Sequence, residues 1–371
     1  MLFRSHNPPN ENGFKICLGK STIYGRAIQE IRDIMVNEDF ISGREGSYSS
    51  VLLNEEYVDE ICEDLRIKPE GRKIKAVVDA GNGTGNIVGP DLYRCMGHDI
   101  IELYSEPDPA FPHHHPDPTV PENLRDLMEK MSETGAEVGI AFDGDGDRIG
   151  VVTGGGDILW GDQLLIIFAR DIIPRQPGAK IIGEVKCSEA LFEEVEKAGG
   201  TPIMWRVGHS LIKAKLKEED AVLAGEMSGH LFFADRYYGY DDAIYAGARL
   251  LELLSRSEMT FQEIAETLPK MYNTPEIRLE CPEDLKQAVV ERVAADFSKE
   301  FHVYRIDGVR VKFPNGWGLV RASNTQPVLV LRFEAASPEH LDEISTGVRA
   351  KVQEALDEMS AMPGNSRPGG L

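Results

Sequence analysis

Strand-like and helix-like segments alternate along the middle of the chain, and this pattern restricts the possible folds more than any other feature of the sequence. Apolar runs at 180–185, 202–206 and 221–224 are typical of buried strands, and helical segments at 189–198 and 210–218 lie between them. Such alternation predicts βαβ packing and a largely parallel sheet.

The flanking regions predict further units, so we expect an α/β fold with several domains. Residues 270–359 place helices at both ends of a hairpin-like middle, which suggests an α+β domain. The expected domain limits are 1–53, 54–156, 157–269 and 270–359, followed by a disordered tail at 360–371. Because the first unit is well below the size of an ordinary domain, we expect it to be incomplete.

Composition argues against two classes of partner. A net charge of −22 is unfavourable for binding nucleic acid or an anionic membrane, since both require a basic face. No apolar run approaches the length of a membrane helix, and no signal peptide is visible. The cysteines are odd in number, widely spaced and without a CxxC pair, which predicts reduced thiols in a cytoplasmic protein.

An acidic loop with the sequence DGDGDR stands between two apolar strands. Its carboxylates, Asp143, Asp145 and Asp147, can converge on one hard cation, and Mg²⁺ suits such oxygen ligands. Without a cation they would repel each other, which argues against a plain solvated turn. An EF-hand calcium loop requires Gly where Arg148 stands and Glu where Gly154 stands, so it is excluded. Arg148 could neutralise a phosphate on the same metal or form a salt bridge to a neighbouring Asp.

The opening loop, from Ser5 to Lys15, has the sequence SHNPPNENGFK. Two prolines fix the loop, and a fixed loop can hold one hydroxyl in a single orientation. Ser5 and His6 could be a nucleophile and a base, although sequence neighbours rarely point at one site. Lys15 is a candidate general acid/base or phosphate-binding cation. Taken alone, the segment is equally compatible with a plain proline turn.

Two later loops carry groups suited to a sugar phosphate. In the segment GEMSGH at 225–230, Glu226 and Ser228 can bond sugar hydroxyls, and His230 can donate a hydrogen bond or shuttle a proton. The segment RASNTQP at 321–327 offers a guanidinium, two hydroxyls and an amide that can surround phosphate oxygens. Plain turns explain either loop equally well when it is considered alone.

Two other patterns are discounted. The glycines at 81, 83 and 85 follow a strand, but the third glycine of a GxGxxG dinucleotide loop would fall at Asn86. The three histidines at 113–115 cannot all face one ion in an extended chain, so we expect a surface loop there.

Together the four loops resemble the α-D-phosphohexomutase superfamily, and within it phosphomannomutase/phosphoglucomutase. That family has a phosphoserine loop SHNPxxxNGFK, a metal loop DGDGDR, a sugar loop GEMSGH and a phosphate loop RxSNTxP, all matched here in the same order. The resemblance covers nearly the whole chain. It implies three α/β mutase domains, the first one incomplete, and a C-terminal α+β domain around one central cleft.

The resemblance also implies a phosphohexose mutase that interconverts hexose 1-phosphate and hexose 6-phosphate, with mannose and/or glucose as the sugar. Ser5 would carry the phosphoryl group and ligate Mg²⁺ together with Asp143, Asp145 and Asp147. Hexose 1,6-bisphosphate would be the intermediate and activator.

Further residues receive roles by resemblance. The candidate catalytic residues are Ser5, His6, Lys15 and Arg148, with Lys15 and His230 as candidates for proton transfer. The residues implied to bind substrate are Lys186, His209, Glu226, Met227, Ser228, Gly229, His230, Arg321, Ser323, Asn324 and Thr325. A plain surface position explains Lys186 and His209 equally well.

The chain departs from the family at its start. Family members carry a strand–helix–strand region with an arginine-bearing turn before the phosphoserine loop, and a small residue where this chain has Arg4. Two hypotheses of different class follow, namely an active mutase and a non-catalytic sugar-phosphate-binding remnant. A phosphoglucosamine mutase is a third, which Met227 and Asn324 disfavour by resemblance.

Overall fold

A computed structural model of the chain describes residues 2–3, 14–19, 21–43, 46–68, 70–323 and 326–361. Within these ranges the helices are α1 (Arg26–Val36), α2 (Asn54–Leu65), α3 (Gly89–Met96), α4 (Arg125–Thr134), α5 (Gly161–Ile172), α6 (Glu189–Lys197), α7 (His209–Glu219), α8 (Ala243–Arg256), α9 (Phe261–Glu266), α10 (Lys286–Phe297) and α11 (Pro338–Ala361).

The strands of the same ranges are mostly short. They are β1 (Leu2–Phe3), β2 (Phe14–Lys15), β3 (Cys17–Leu18), β4 (Ser21–Thr22), β5 (Lys75–Asp79), β6 (Asp99–Leu103), β7 (Val138–Phe142), β8 (Ile149–Thr153), β9 (Ile158–Leu159), β10 (Lys180–Glu184), β11 (Thr201–Trp205), β12 (Leu223–Gly225), β13 (Leu231–Phe233), β14 (Tyr272–Asn273), β15 (Ile277–Glu280), β16 (His302–Tyr304), β17 (Val309–Phe313), β18 (Gly316–Ala322) and β19 (Val328–Ala335).

Two sheets have the same arrangement of strands. Sheet A has the order β6-β5-β7-β8-β9, and sheet B has the order β11-β10-β12-β13. In each, one inner strand pairs in parallel with both neighbours, β5 in sheet A and β10 in sheet B, and we call these two the central strands. The next pair along the order, β7 with β8 and β12 with β13, is antiparallel. The helices α6 and α7 connect the parallel strands of sheet B, so the predicted βαβ units are confirmed.

Burial explains why these strands are so apolar. Every residue of β7 and β8 is buried, and a strand covered on both faces has a continuous apolar sequence.

Side-chain caps fix where two of the helices begin. The Ser188 side chain accepts a hydrogen bond from the N–H of Ala190 at the start of α6, and Asp242 accepts one from Tyr245 at the start of α8.

Helix α8 joins sheets A and B into one core. Its apolar residues belong to a single buried cluster that includes strands of both sheets. The hydroxyl of Tyr93, on α3, donates to the carbonyl of Ile244 on α8 at 2.9 Å. Sheets A and B are therefore held together by continuous packing.

The C-terminal sheet is antiparallel, as an α+β unit requires. Its order is β14-β19-β18-β17-β16, and β15 also pairs with β19. Apolar residues of α10 and α11 share a second buried cluster with this sheet. The predicted α/β architecture with a C-terminal α+β domain is confirmed. The domain limits stay a prediction.

Near the ends of the chain the described residues are less buried. None of the residues of α1 is buried. Helix α11 continues through Ser360 and Ala361, so it includes the first residues of the segment predicted to be a disordered tail. The remainder of that tail, 362–371, lies outside the described residues.

The prediction of reduced thiols is wrong for two of the cysteines. Cys62 on α2 and Cys95 on α3 form a disulfide, with their Cα atoms 6.0 Å apart. The spacing of 33 residues gives no local signal, because the pair forms only when α2 and α3 pack together.

Among the helices that the structure describes, none combines the length and apolar character needed to cross a membrane.

Candidate functional site

The acidic loop lies in the hairpin between β7 and β8. One carboxylate oxygen from each of Asp143, Asp145 and Asp147 lies within 4.8 Å of the other two. Gly146 has a φ of +73°, which lets the backbone turn tightly enough for this. Burial raises the pKa of Asp143 well above its usual value, and the neighbouring charge of Asp147 adds to the increase. Converging oxygen donors with mutual repulsion fit a hard cation such as Mg²⁺.

Arg148 is held beside this loop by two carboxylates. Its Nε donates to Asp143 Oδ2 at 2.9 Å, and its Nη1 lies 3.3 Å from Asp117 Oδ1. The other oxygen of Asp143 accepts from the N–H groups of Asp147 and Arg148, both at 3.0 Å. Asp143 therefore fixes both the backbone of the loop and the direction of the arginine.

The GEMSGH segment lies in the corresponding hairpin of sheet B, between β12 and β13. Glu226 is buried, and its two oxygens accept from the N–H of Gly208 at 2.9 Å and from the Ser228 hydroxyl at 3.1 Å. Gly229 has a φ of +94°, and a Cβ there would lie 2.3 Å from the carbonyl oxygen of Ile149. Ile149 also donates its N–H to the Gly229 carbonyl at 3.1 Å. The sugar loop therefore lies directly against the β7–β8 hairpin that carries the acidic loop, which we call the metal hairpin.

Asp241 lies beside two of the predicted site residues, His230 and His209. Its Oδ2 lies 3.5 Å from Nδ1 of His230 and 3.7 Å from Nδ1 of His209. The same nitrogen of His230 lies 3.6 Å from Asp147 Oδ1, and Lys213 contacts the other oxygen of Asp241 at 2.8 Å. The sugar loop and the first residue of α7 thus meet at the Asp241 carboxylate, and His230 links them to the metal loop.

Sequence reasoning missed Asp241, but a signal was present. The doublet Asp241-Asp242 precedes an apolar helix, and only one acid can be its N-cap. Asp242 is the N-cap, so the doublet indicated that Asp241 has a different function.

Lys186 lies on the turn after β10 and is buried. Its ammonium is 3.6 Å from Glu276 of the C-terminal domain. Burial lowers the pKa of Lys186, but Glu184 and Glu276 outweigh this effect and leave the pKa raised, so the side chain is charged at neutral pH. The backbone N–H of Lys186 donates to Glu184 Oε2 at 2.6 Å. Glu184 was also missed, because its partners are distant in sequence or on the main chain.

The phosphate loop begins on β18 with Arg321. Its Nη2 lies 3.2 Å from Asp307 Oδ2. Lys286, buried on α10, donates to the carbonyls of Ser323 at 2.6 Å and Gln326 at 2.9 Å, so it ties together the two ends of the loop. Sequence reasoning did not identify Lys286 either, because a lysine on a helix is ordinarily solvated.

Two buried arginines attach the C-terminal domain to the turn that carries Lys186. Arg310 donates to the carbonyls of Val185 and Cys187 at 2.7 and 2.8 Å, and Arg332 donates to that of Lys186 at 2.7 Å. The guanidinium of Arg310 lies 3.8 Å from the ring centroid of Trp317.

The structure therefore brings three of the four predicted loops to one region. Ser5, His6, Asn324 and Thr325 lie outside the described residues, and only the backbone of Lys15 is described. The histidine segment at 113–115 is better anchored than a surface loop requires, since His114 Nε2 lies 3.1 Å from the buried Asp79. The roles assigned to individual residues stay predictions.

Comparison with known proteins gives consistent matches. Family models of phosphoglucomutase/phosphomannomutase match as α/β/α domain II at residues 55–156, as α/β/α domain III at 160–272 and as the C-terminal domain at 276–351.

Individual relatives extend the similarity over most of the chain. A phosphomannomutase/phosphoglucomutase of Pseudomonas aeruginosa is 46% identical over 364 residues, which is 98% of this chain and 78% of that protein. A phosphoglucomutase of Neisseria gonorrhoeae is 44% identical, covering 95% of this chain and 77% of its own length. A crystal structure of a family member from Burkholderia thailandensis superposes with a TM-score of 0.88 at 45% identity, over 94% of this chain and 74% of that one.

Proposed function

Since the chain belongs to the phosphoglucomutase/phosphomannomutase family of hexose phosphate mutases, we propose that it interconverts hexose 1-phosphates and hexose 6-phosphates of glucose and/or mannose. A phosphoserine at Ser5 and a hexose 1,6-bisphosphate intermediate belong to the proposal. One observation supports it above all, namely the direct contact between the metal hairpin and the sugar loop through Ile149 and Gly229. A phosphoryl group and a sugar hydroxyl that react must meet at such a junction.

Asp143, Asp145 and Asp147 would hold Mg²⁺, with a phosphoserine oxygen as a further ligand. When bound, the ion offsets negative charge on the transferring phosphoryl group. Arg148, fixed by Asp143 and Asp117, presents a second positive charge on the same side.

Binding of the sugar phosphate would use both sides of the cleft. The Glu226 carboxylate can accept hydrogen bonds from neighbouring sugar hydroxyls. Lys186 follows β10 of sheet B, and Arg321 lies on β18 of the C-terminal domain, so each side supplies one cation. These two cations would bind the phosphate that is not being transferred.

In the transfer step, the free sugar hydroxyl attacks the phosphorus of phosphoserine and the bond to Ser5 Oγ breaks. The hydroxyl loses its proton to a base, and Ser5 Oγ receives one. His230 is suited to proton transfer because its Nδ1 faces the carboxylates of Asp147 and Asp241, which leaves Nε2 for the substrate. The bisphosphate then reorients and returns its other phosphoryl group to Ser5.

The test is a turnover assay with Mg²⁺, glucose 1-phosphate and a trace of glucose 1,6-bisphosphate, in which glucose 6-phosphate is measured. We expect turnover by the chain and its loss in Ser5→Ala. Ser50→Ala, at an exposed serine of the same N-terminal segment, is the matched control and should stay active. Absence of turnover with retained binding of glucose 1-phosphate would instead support the sugar-phosphate-binding remnant.

A further inference from the structure

Asp307 lies where the C-terminal sheet meets sheet B. It belongs to the loop between β16 and β17, and its Oδ2 lies 3.2 Å from Nη2 of Arg321. The same oxygen accepts the backbone N–H of Val207 at 3.2 Å, across 100 residues of sequence. One carboxylate oxygen thus joins the arginine of the phosphate loop to the turn that precedes His209.

The contact is largely removed from water. The side chains of Arg321 and Asp307 are 10% and 13% exposed. The Nε of Arg321 is buried and has no hydrogen-bond partner among the residues that the structure describes. Asp307 therefore contacts one nitrogen of the guanidinium, Nη2, and this contact fixes the direction in which the group points.

The loop that carries Asp307 is fixed on both sides. Gly308 has a φ of +81°, and a Cβ there would lie 2.4 Å from the carbonyl oxygen of Val320, so the backbone presses against β18. On the other side, Ile306 and Val207 pack against a buried apolar cluster that includes Trp317. The carboxylate is consequently held in place by backbone packing and by apolar contacts.

We propose that Asp307 is a positioning residue for the mutase reaction. It orients the Arg321 guanidinium toward the substrate phosphate that is not transferred and ties that arginine to the turn before α7. The inference rests on the proposed function. Asp307 takes part in no covalent step, and its effect is that the phosphate meets an arginine already held in its binding orientation.

The first test is Asp307→Asn. The amide oxygen of asparagine can still accept the hydrogen bond from the Val207 N–H, but the negative charge beside Arg321 is lost. We expect KM for glucose 1-phosphate to rise about tenfold, with kcat changed less than about twofold, and an unchanged thermal midpoint. In an Arg321→Ala background the same substitution should add nothing, because Asp307 acts through that arginine.

Asp296→Asn is the matched control. It removes an aspartate–arginine contact of 3.5 Å to Arg292 on α10 of the same domain. Its KM should equal that of the parent chain. An unchanged or lowered KM in Asp307→Asn, or an equal rise in KM in the Arg321→Ala background, would overturn the inference.

Calorimetric titration with glucose 1-phosphate separates this inference from the proposed function. Affinity should fall about tenfold in Asp307→Asn whether or not the parent chain turns over. A parent chain that binds glucose 1-phosphate without turnover contradicts the proposed function, and the two affinities then decide the role of Asp307. A parent chain that does not bind glucose 1-phosphate contradicts both.

Discussion

Sheets A and B arrange their strands in the same way and place a candidate functional loop in the same hairpin, yet the two loops differ in charge. The hairpin of sheet A concentrates Asp143, Asp145 and Asp147 within 4.8 Å of one another. The hairpin of sheet B carries Glu226, whose two oxygens already accept hydrogen bonds from Gly208 and Ser228. The strand arrangement decides where a loop lies, and the residues of the loop decide what it can bind.

The acids at the ends of the two central strands, β5 and β10, also differ in the loop that each one supports. Asp79 ends β5 and Glu184 ends β10, and each accepts the N–H of the residue two positions later, at 2.8 and 2.6 Å. The remaining oxygen of Asp79 faces His114 at 3.1 Å, whereas that of Glu184 accepts the N–H of Met227 at 3.3 Å. One acid thus supports a structural loop, and the other supports the sugar loop.

The largest effect is expected from removing one carboxylate of the metal hairpin. Asp145→Asn should weaken Mg²⁺ binding and turnover at least about 100-fold. Without metal its thermal midpoint should not fall, because a repelling charge has been removed. The matched variant Glu226→Gln should keep Mg²⁺ affinity and lose sugar-phosphate affinity. Calorimetry with Mg²⁺ and with glucose 1-phosphate measures both. Equal loss of Mg²⁺ affinity in the two variants would contradict the assignment of metal binding to the hairpin of sheet A alone.

A second difference concerns acid stability. His98 directly precedes β6 in sheet A, and Gly200 holds the corresponding position before β11 in sheet B. Burial lowers the pKa of His98 from 6.5 to about 4, and the charge of Lys73 adds to the decrease. Between these values the unfolded chain binds a proton that the folded chain does not, so stability falls as pH falls through this window.

We therefore expect the free energy of unfolding to drop by about 2 kcal/mol between pH 7 and pH 5 on account of His98. His98→Asn keeps an acceptor for the N–H of Ile74, which now bonds Nδ1 at 3.3 Å, and should lack this part of the pH dependence. Urea midpoints at the two pH values provide the measurement. His302→Asn, at an exposed position on β16, is the control that should behave like the parent chain.

The smallest effect should come from the acids that end the central strands. Glu184→Gln weakens the hydrogen bonds that the carboxylate accepts from the N–H groups of Lys186 and Met227. We therefore expect KM for glucose 1-phosphate to rise about tenfold. Asp79→Asn should lower the thermal midpoint and leave KM unchanged. Steady-state kinetics and thermal unfolding of both variants check this, and a matching KM increase in Asp79→Asn would show that the two acids have the same role.

The sequence predicted the regular elements of sheet B closely, because βαβ units arise from local periodicity. Helix α7, for example, was predicted at 210–218 and spans His209–Glu219. The sequence also located the four candidate loops, because each motif is continuous in sequence. Asp241, Glu184 and Asp307 were missed because their roles depend on partners brought close by folding. The disulfide of Cys62 and Cys95 was missed for the same reason.

The attachment of the C-terminal domain has a consequence for how this interface can vary among related sequences. Arg310 and Arg332 bind the main-chain carbonyls of residues 185–187 and no side chain of those residues. Every residue type supplies a carbonyl, so substitutions in the turn leave these contacts intact. Selection for these hydrogen bonds should therefore act on the arginines, whereas Val185, which packs with Trp317 and Leu319, and Lys186, which faces Glu276, tie the turn to the C-terminal domain through their side chains.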